Sequence, residues 1–277
     1  MEHGRFFAYA PKHTGFLGSL LGLGSRSGAE GVAERIEGAY RSYVTTSRLP
    51  PSQTQSTQPQ KFVYAGGGAA VAPGVQAITD HLVRVTPYVS HSKDALIIFN
   101  GQLSNLQDLR ARRREYGGSG APVPETAGVG AQTTAMLLDM YKHFHGRELM
   151  LLAELQGHFA FVILDMARKT GFAARDPSGT EPMLYKVDDE GGVVYTNCLD
   201  QLPTADANRR EWRELAPGHF MLGREVVQFA LSLQQLEKRE KKESLDADAL
   251  HMLLQAEGQG EGGAMEAVRS LMRNRSK

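Results

Sequence analysis

Asn100 and Gly101 close an apolar run, Ile97-Ile98-Phe99, and stand just before leucines at Leu103, Leu106 and Leu109. A side-chain amide and a backbone N–H at the end of a buried strand are the donors that can hold an oxyanion in acyl-transfer chemistry. Asn-Gly is also the commonest tight-turn dipeptide, so the pattern reads as strand, turn and helix with or without chemistry. Few other groups stand out. Cys198 is the single cysteine, which excludes an intrachain disulfide and a cysteine-built metal cage. It is expected as a buried, inert thiol in a late strand. Gly66-Gly67-Gly68 has no following Lys-Ser/Thr and opens no helix, so it reads as a turn rather than a phosphate loop. The basic cluster Arg110 to Arg114 reads as a solvated helix C-terminus, where cations suit the dipole.

These residues need strands and helices to place them. Phe6 to Ala10 reads as a short strand closed by Pro11, and Gly15 to Gly28 as a loop. Val32, Ile36, Ala39, Tyr40 and Tyr43 are spaced for an amphipathic helix over Glu30 to Tyr43. Pro50 to Gln60 is polar and of low complexity. Phe62 to Tyr64 and Ala69 to Val71 flank the glycines as strands. Gly117 to Gly130 reads as a surface loop. Met136, Leu137, Met140, Tyr141 and Phe144 form a helical stripe ended by Gly146, continued by Met150 to Leu155. Gly157 to Asp165 and Gly171 to Arg175 read as a hairpin, and Asp176-Pro177-Ser178-Gly179 as a turn. Pro182 to Tyr185 and Val193 to Thr196 are further strands, and Trp212 to Leu222 reads as the last hairpin. Many short strands joined by tight turns, with helices between them, mean an antiparallel α+β domain.

The 277 residues are 41% hydrophobic with a formal net charge of zero, which supports a sizeable core and gives no global pull toward nucleic acid or an anionic membrane. No stretch is apolar for long enough to span a bilayer. Met1-Glu2-His3-Gly4-Arg5 lacks the pattern of a secretory signal, and Glu2, Glu30, Glu34 and Glu37 argue against an acid-poor transit peptide. The expected location is the cytoplasm or nucleus. From Leu233 the composition turns to mixed charge, with Ser244 placed to cap a helix carrying Leu245, Leu250 and Leu253.

Four stretches in this order resemble the class II glutamine amidotransferase domains: Phe99-Asn100-Gly101-Gln102-Leu103, Leu155-Gln156-Gly157-His158-Phe159-Ala160-Phe161, Ala174-Arg175-Asp176 through Gly179 to Tyr185, and Leu215-Ala216-Pro217-Gly218-His219. The pattern is most similar to the plant and algal branch related to stem-specific and aluminium-induced proteins. The resemblance implies a four-layer αββα sandwich of two antiparallel sheets, as in N-terminal nucleophile hydrolases, with a charged helical tail. The expected division is a first strand with a variable loop, helix and linker over 1–60, the amidotransferase-like domain over 61–232, and the tail over 233–277.

The family hydrolyses glutamine with a cysteine at the very N-terminus, whose α-amino group serves as base. Here position 2 is Glu2, no other catalytic residue is identified, and catalytic silence is expected. Gln132, in Ala131-Gln132-Thr133-Thr134, stands where the family carries an Asp for the substrate ammonium, and Gln102 stands for the Glu of Asn-Gly-Glu. Arg84 is the positional counterpart of the family's substrate arginine. The remnant oxyanion and substrate pocket is therefore Asn100, Gly101, Gln102, Gln132 and Arg84. No metal or cofactor is expected. The resemblance implies a binding or regulatory module linked to stress, with a protein partner or self-association and a small amide or carboxylate ligand, and without nucleic acid or membrane. The alternatives are an active glutaminase or amidohydrolase with an unrecognised nucleophile, or a non-catalytic sensor of an amide or carboxylate.

Overall fold

The computed structural model describes residues 4–12, 29–46, 58–64, 66–72, 74–78, 81–85, 87–116, 127–199, 202, 208–232 and 234–239; for 74–78 and 81–85 it describes the backbone. The first strand is β1, Arg5–Ala10, and helix α1 is Ala29–Thr46. Six strands follow: β2 (Gln60–Tyr64), β3 (Gly67–Ala72), β4 (Gly74–Ile78), β5 (His81–Val85), β6 (Tyr88–His91) and β7 (Ala95–Leu103). Next come helices α2 (Leu106–Ala111), α3 (Val129–His143) and α4 (Glu148–Glu154). The remaining strands are β8 (Gly157–Asp165), β9 (Thr170–Arg175), β10 (Leu184–Val187), β11 (Val193–Thr196), β12 (Arg213–Glu214), β13 (His219–Leu222) and β14 (Glu225–Gln228).

Two six-stranded sheets, ordered β12-β10-β11-β1-β3-β2 and β14-β13-β9-β8-β7-β6, are antiparallel at every pairing; β4 and β5 make a separate ribbon. The alternation of strand side chains divides the interior into three apolar layers. Phe6, Ala8, Val71, Leu96, Ile98, Ala160, Val162 and Ala173 fill the space between the sheets. Phe7 and Tyr9 of β1 point the other way, onto Val32, Ile36, Ala39 and Tyr43 of α1. Ile97, Phe99, Phe159 and Phe161 face Met136, Leu137, Met140 and Leu151 of the later helices. The unit that carries both sheets is the four-layer αββα sandwich that the resemblance implies. β8 is buried on both faces from Phe159 to Asp165, which explains its unbroken apolar run.

Close approaches need glycine at two layer contacts. A Cβ on Gly68 would lie 2.6 Å from Phe62 O and 2.9 Å from Ile36 Cγ1, so its absence lets α1 settle on β3. A Cβ on Gly130 would lie 1.8 Å from Tyr88 Cδ1, where α3 packs on β6.

Several expectations need correction. The strand does not end at Asn100-Gly101: β7 runs on to Leu103, paired with β8 throughout, and the turn falls at Ser104-Asn105. Gly101 at φ +104 and Gly157 at φ +132 let the two strands curl together there, since a Cβ on either would strike the other strand's carbonyl at 2.2–2.3 Å. Trp212 to Leu222 is not one hairpin. β12 joins the first sheet, Pro217-Gly218 crosses over, and β13 pairs with β14 and β9 in the second. Cys198 is half-buried and follows the end of β11.

The basic cluster is engaged rather than solvated. Arg110 donates to Gln132 Oε1 at 2.9 Å, Arg112 pairs with Glu154, and Arg113 lies 2.7 Å from Asp139. Arg114 is exposed. The loop expected at Gly15 to Gly28, most of the one at Gly117 to Gly130, and the helix expected after Ser244 lie outside the described residues.

The chain divides into compact units over Met1–Ala230 and Leu231–Lys277. In the second, residues 234–239 are helical, and Ser232 and Gln235 cap the start reciprocally: Gln235 N donates to Ser232 Oγ at 3.3 Å and Ser232 N to Gln235 Oε1 at 2.9 Å.

Candidate functional site

Asn100 sits on β7 between Ile98 and Gln102, so its side chain points into the layer between the sheets. It is 2% exposed, and its Oδ1 has no hydrogen-bond partner. A buried carboxamide oxygen left unpaired costs about 1–3 kcal/mol, so a residue with this defect needs an explanation. Its rung continues through Ala160 of β8 to Arg175 of β9. One rung outward, Gln102 faces His158; both are exposed, so the layer opens to solvent at this end.

Arg175 closes the other side. Its Nε donates to Glu181 O at 2.7 Å, Nη2 to Gly179 O at 2.7 Å, and Nη1 to Leu215 O at 2.9 Å and Glu214 Oε1 at 2.5 Å. Asp176, fully buried, accepts from Phe159 N at 3.0 Å, Ser178 N at 2.7 Å and Gly179 N at 3.3 Å. The Ala-Arg-Asp stretch is thus a clamp that binds both sheets together. Glu214 pairs with Leu184, Leu184 with Thr196, and Thr196 with Phe7. The N-terminal end of β1 therefore lies at the same end of the sandwich as Asn100. There Asn197 accepts from Phe6 N at 2.9 Å and donates to Gly4 O at 2.8 Å. From Gly4 to Ala10 no residue is a cysteine, serine or threonine.

The other site residues do not converge on Asn100. Gln132 lies in the first turn of α3, on the outer side of the second sheet, whereas Asn100 faces the inner side. Its carboxamide is occupied: Oε1 accepts from Arg110 and Nε2 donates to Ala127 O at 2.6 Å. Because the amide both accepts and donates, one side chain ties Arg110 of α2 to the backbone at Ala127 ahead of α3. Arg84 lies in the separate β4–β5 ribbon opposite Val75, and its side chain is outside the described residues. The structure thus brings together Asn100, Gly101 and Gln102, adds His158 and Arg175, and sets Gln132 apart. His158 escaped the sequence reading, although the period-two alternation of Gly157 to Asp165 already puts it on one face with Ala160 and Val162. Among the described residues no group of His, Cys, Asp and Glu could hold a metal ion.

A family model described as a glutamine amidotransferase domain matches residues 61–235. The chain belongs to the glutamine amidotransferase domain family. Among solved structures, this amidotransferase domain is similar to the glutamine phosphoribosylpyrophosphate amidotransferase of B. subtilis, complexed with ADP and GMP, at 15% identity and a TM-score of 0.47, covering 83% of this chain and 50% of that one. It is similar to a structure named as the allosteric regulatory enzyme of purine biosynthesis at 14% identity and 0.47, covering 83% and 49%. A third likeness, to a glutamine aminotransferase class-II domain protein from Silicibacter pomeroyi, has 15% identity and 0.37, covering 61% and 75%. The chain spans about half the length of the first two. No curated protein matches the sequence. No helix among the described residues is long and apolar enough to cross a membrane.

Proposed function

We propose that this amidotransferase domain is catalytically silent and serves as a binding or regulatory module of the cytoplasm or nucleus, in the stress-linked plant and algal branch that its motifs resemble. The observation that carries the proposal is β1. Glutamine hydrolysis in the family starts from a nucleophile leading straight into a strand, and the strand whose N-terminal end lies at the Asn100 end is entered through Gly4 and Arg5, with no cysteine, serine or threonine down to Ala10. Cys198, past the end of β11, has its backbone bound to Thr196. Gln132, which stands where the family carries an Asp for the substrate ammonium, is taken up by Arg110 and Ala127. Ammonia release from glutamine tests this directly. No release above the rate of a buffer blank is expected, and turnover that survives purification to homogeneity would overturn it.

One observation favours a ligand-sensing form of the module. Asn100 keeps an unpaired carboxamide oxygen where Leu or Val would pack without penalty, beside an opening rimmed by Gln102 and His158. An amide or carboxylate ligand satisfies that group. Saturable thermal stabilisation by such a ligand, abolished by Asn100→Leu, distinguishes a sensor from a purely protein-binding module.

A further inference from the structure

At the end of the sandwich opposite Asn100, four segments meet around a cavity of about 110 Å³. Thr170 and Arg175 are the two ends of β9, so the cavity lies roughly 17 Å along the strand from the Asn100 rung. Lys12 follows β1, Lys169 comes from the β8–β9 turn and Thr170 from the start of β9, Gly191 from the β10–β11 turn, and Gly223 and Arg224 from the β13–β14 turn. Three cations line one small space. Among the described residues none of the three has an ion pair or a hydrogen bond, and the Thr170 hydroxyl is likewise unpartnered. Asp188, in the β10–β11 turn, forms an ion pair with Arg35 at 3.0 Å and accepts from Gly192 N at 2.6 Å.

The geometry concentrates positive charge. A Cβ on Gly191 would sit 3.2 Å from Lys12 Cδ and 3.3 Å from Arg224 Nη1, so both basic side chains lie over the same glycine. Like charges gathered around one space repel, and glycine leaves the space between them open; the exposed carboxylates of Asp189 and Glu190 precede Gly191 in the same turn but do not line the cavity. Lys169 adds a second cost. It is the single non-glycine residue with positive φ among the described residues, at +53°, in a hairpin position that favours glycine or asparagine. Such strain at a cavity wall is the kind that marks a ligand site.

We propose that this cavity binds a phosphate-class oxyanion, held by Lys12, Lys169 and Arg224 with the Thr170 hydroxyl as a further donor. The volume is well above the ~10–15 Å³ that one water needs, which suits a tetrahedral anion. The anion is either free phosphate or the head of a small phosphomonoester, and the two share the same donors.

The test uses the full chain in chloride buffer at constant ionic strength, titrated with inorganic phosphate in one arm and glycerol phosphate in the other, read by calorimetry and by Tm. A saturable rise in Tm with either probe is expected; equal affinities mean that the free anion suffices, and tighter binding of the ester assigns the site to an esterified phosphate. Lys169→Gly and Arg224→Gln should each weaken binding roughly tenfold, the loss of one charge-assisted hydrogen bond. Lys169→Gly relieves the backbone, so without phosphate it should melt no lower than the parent, which separates lost binding from lost folding. Failure of both probes to bind saturably, or unchanged affinity in both variants, would overturn the site.

Discussion

Asn100 is the residue on which the functional reading turns, because it keeps a defect that packing alone would remove. Replacing it with leucine, which has the same branched outline, deletes an unpaired buried oxygen. The variant should be as stable as the parent or more so, by up to about 1–2 kcal/mol in urea unfolding; a clear loss of stability would mean that the carboxamide is structural. Gly101→Ala should go the other way by about 2–4 kcal/mol, since its Cβ meets His158 O at 2.2 Å and φ is +104. Arg175→Ala should cost about 3–5 kcal/mol, because it strips donors from three backbone carbonyls and removes the ion pair with exposed Glu214 that links the sheets. At this scale the sequence was partly legible. Asn100 could be picked out by the apolar run before it. That Gln132 is spent on Arg110 could not, since residues 22 positions apart meet only through the packing of two helices.

Elements carry the next set of consequences. The α1 stripe at Val32, Ile36, Ala39 and Tyr43 was readable from its period, as were β8 and β9 from their apolar runs. The continuation of β7 past Asn100-Gly101 was not. Turn statistics describe hairpin tips, and here two glycines, Gly101 opposite Phe159 and Gly157 opposite Leu103, let pairing persist through a curl that β-carbons would block. The split of Trp212 to Leu222 between two sheets was equally hidden, because β12 is two residues long and its partner, β10, lies far back in the chain. Gly130→Ala should displace α3 from Tyr88 and lower the urea midpoint by an amount equivalent to about 1–3 kcal/mol. Restoring the midpoint with Tyr88→Ala in the same chain would show that this contact, rather than helix propensity, sets the cost.

The whole molecule should be sensitive to alkali. Tyr9, Tyr43, Tyr141 and Tyr195 all have phenol pKa values raised by burial; Asp188 adds to the shift at Tyr9 and Asp165 to that at Tyr141. Each therefore stays protonated in the fold above the ordinary value of 10.0, while the unfolded chain ionises. Their contribution is full below that pH and is lost as pH climbs toward the folded values, at about 1.4 kcal/mol per pH unit per tyrosine. Urea midpoints should be flat up to pH near 9 and fall steeply beyond about 10, with tyrosinate absorbance rising in step with unfolding. The αββα layering was implied by four motifs in order, and its reason is visible in three apolar layers built from alternating strand residues. The cation-lined cavity at the far end had no such signal, because its residues come from three turns and the segment after β1, which only the closed sandwich brings together.

Catalytic silence is the central claim, and one measurement addresses it most directly: the intact mass of the purified protein before and after incubation with an electrophilic glutamine analogue. The account predicts an unchanged mass, since β1 carries no nucleophile and Cys198 lies beyond β11. A covalent adduct, or a mass showing cleavage to a new serine, threonine or cysteine terminus, would contradict it and return the domain to the hydrolases.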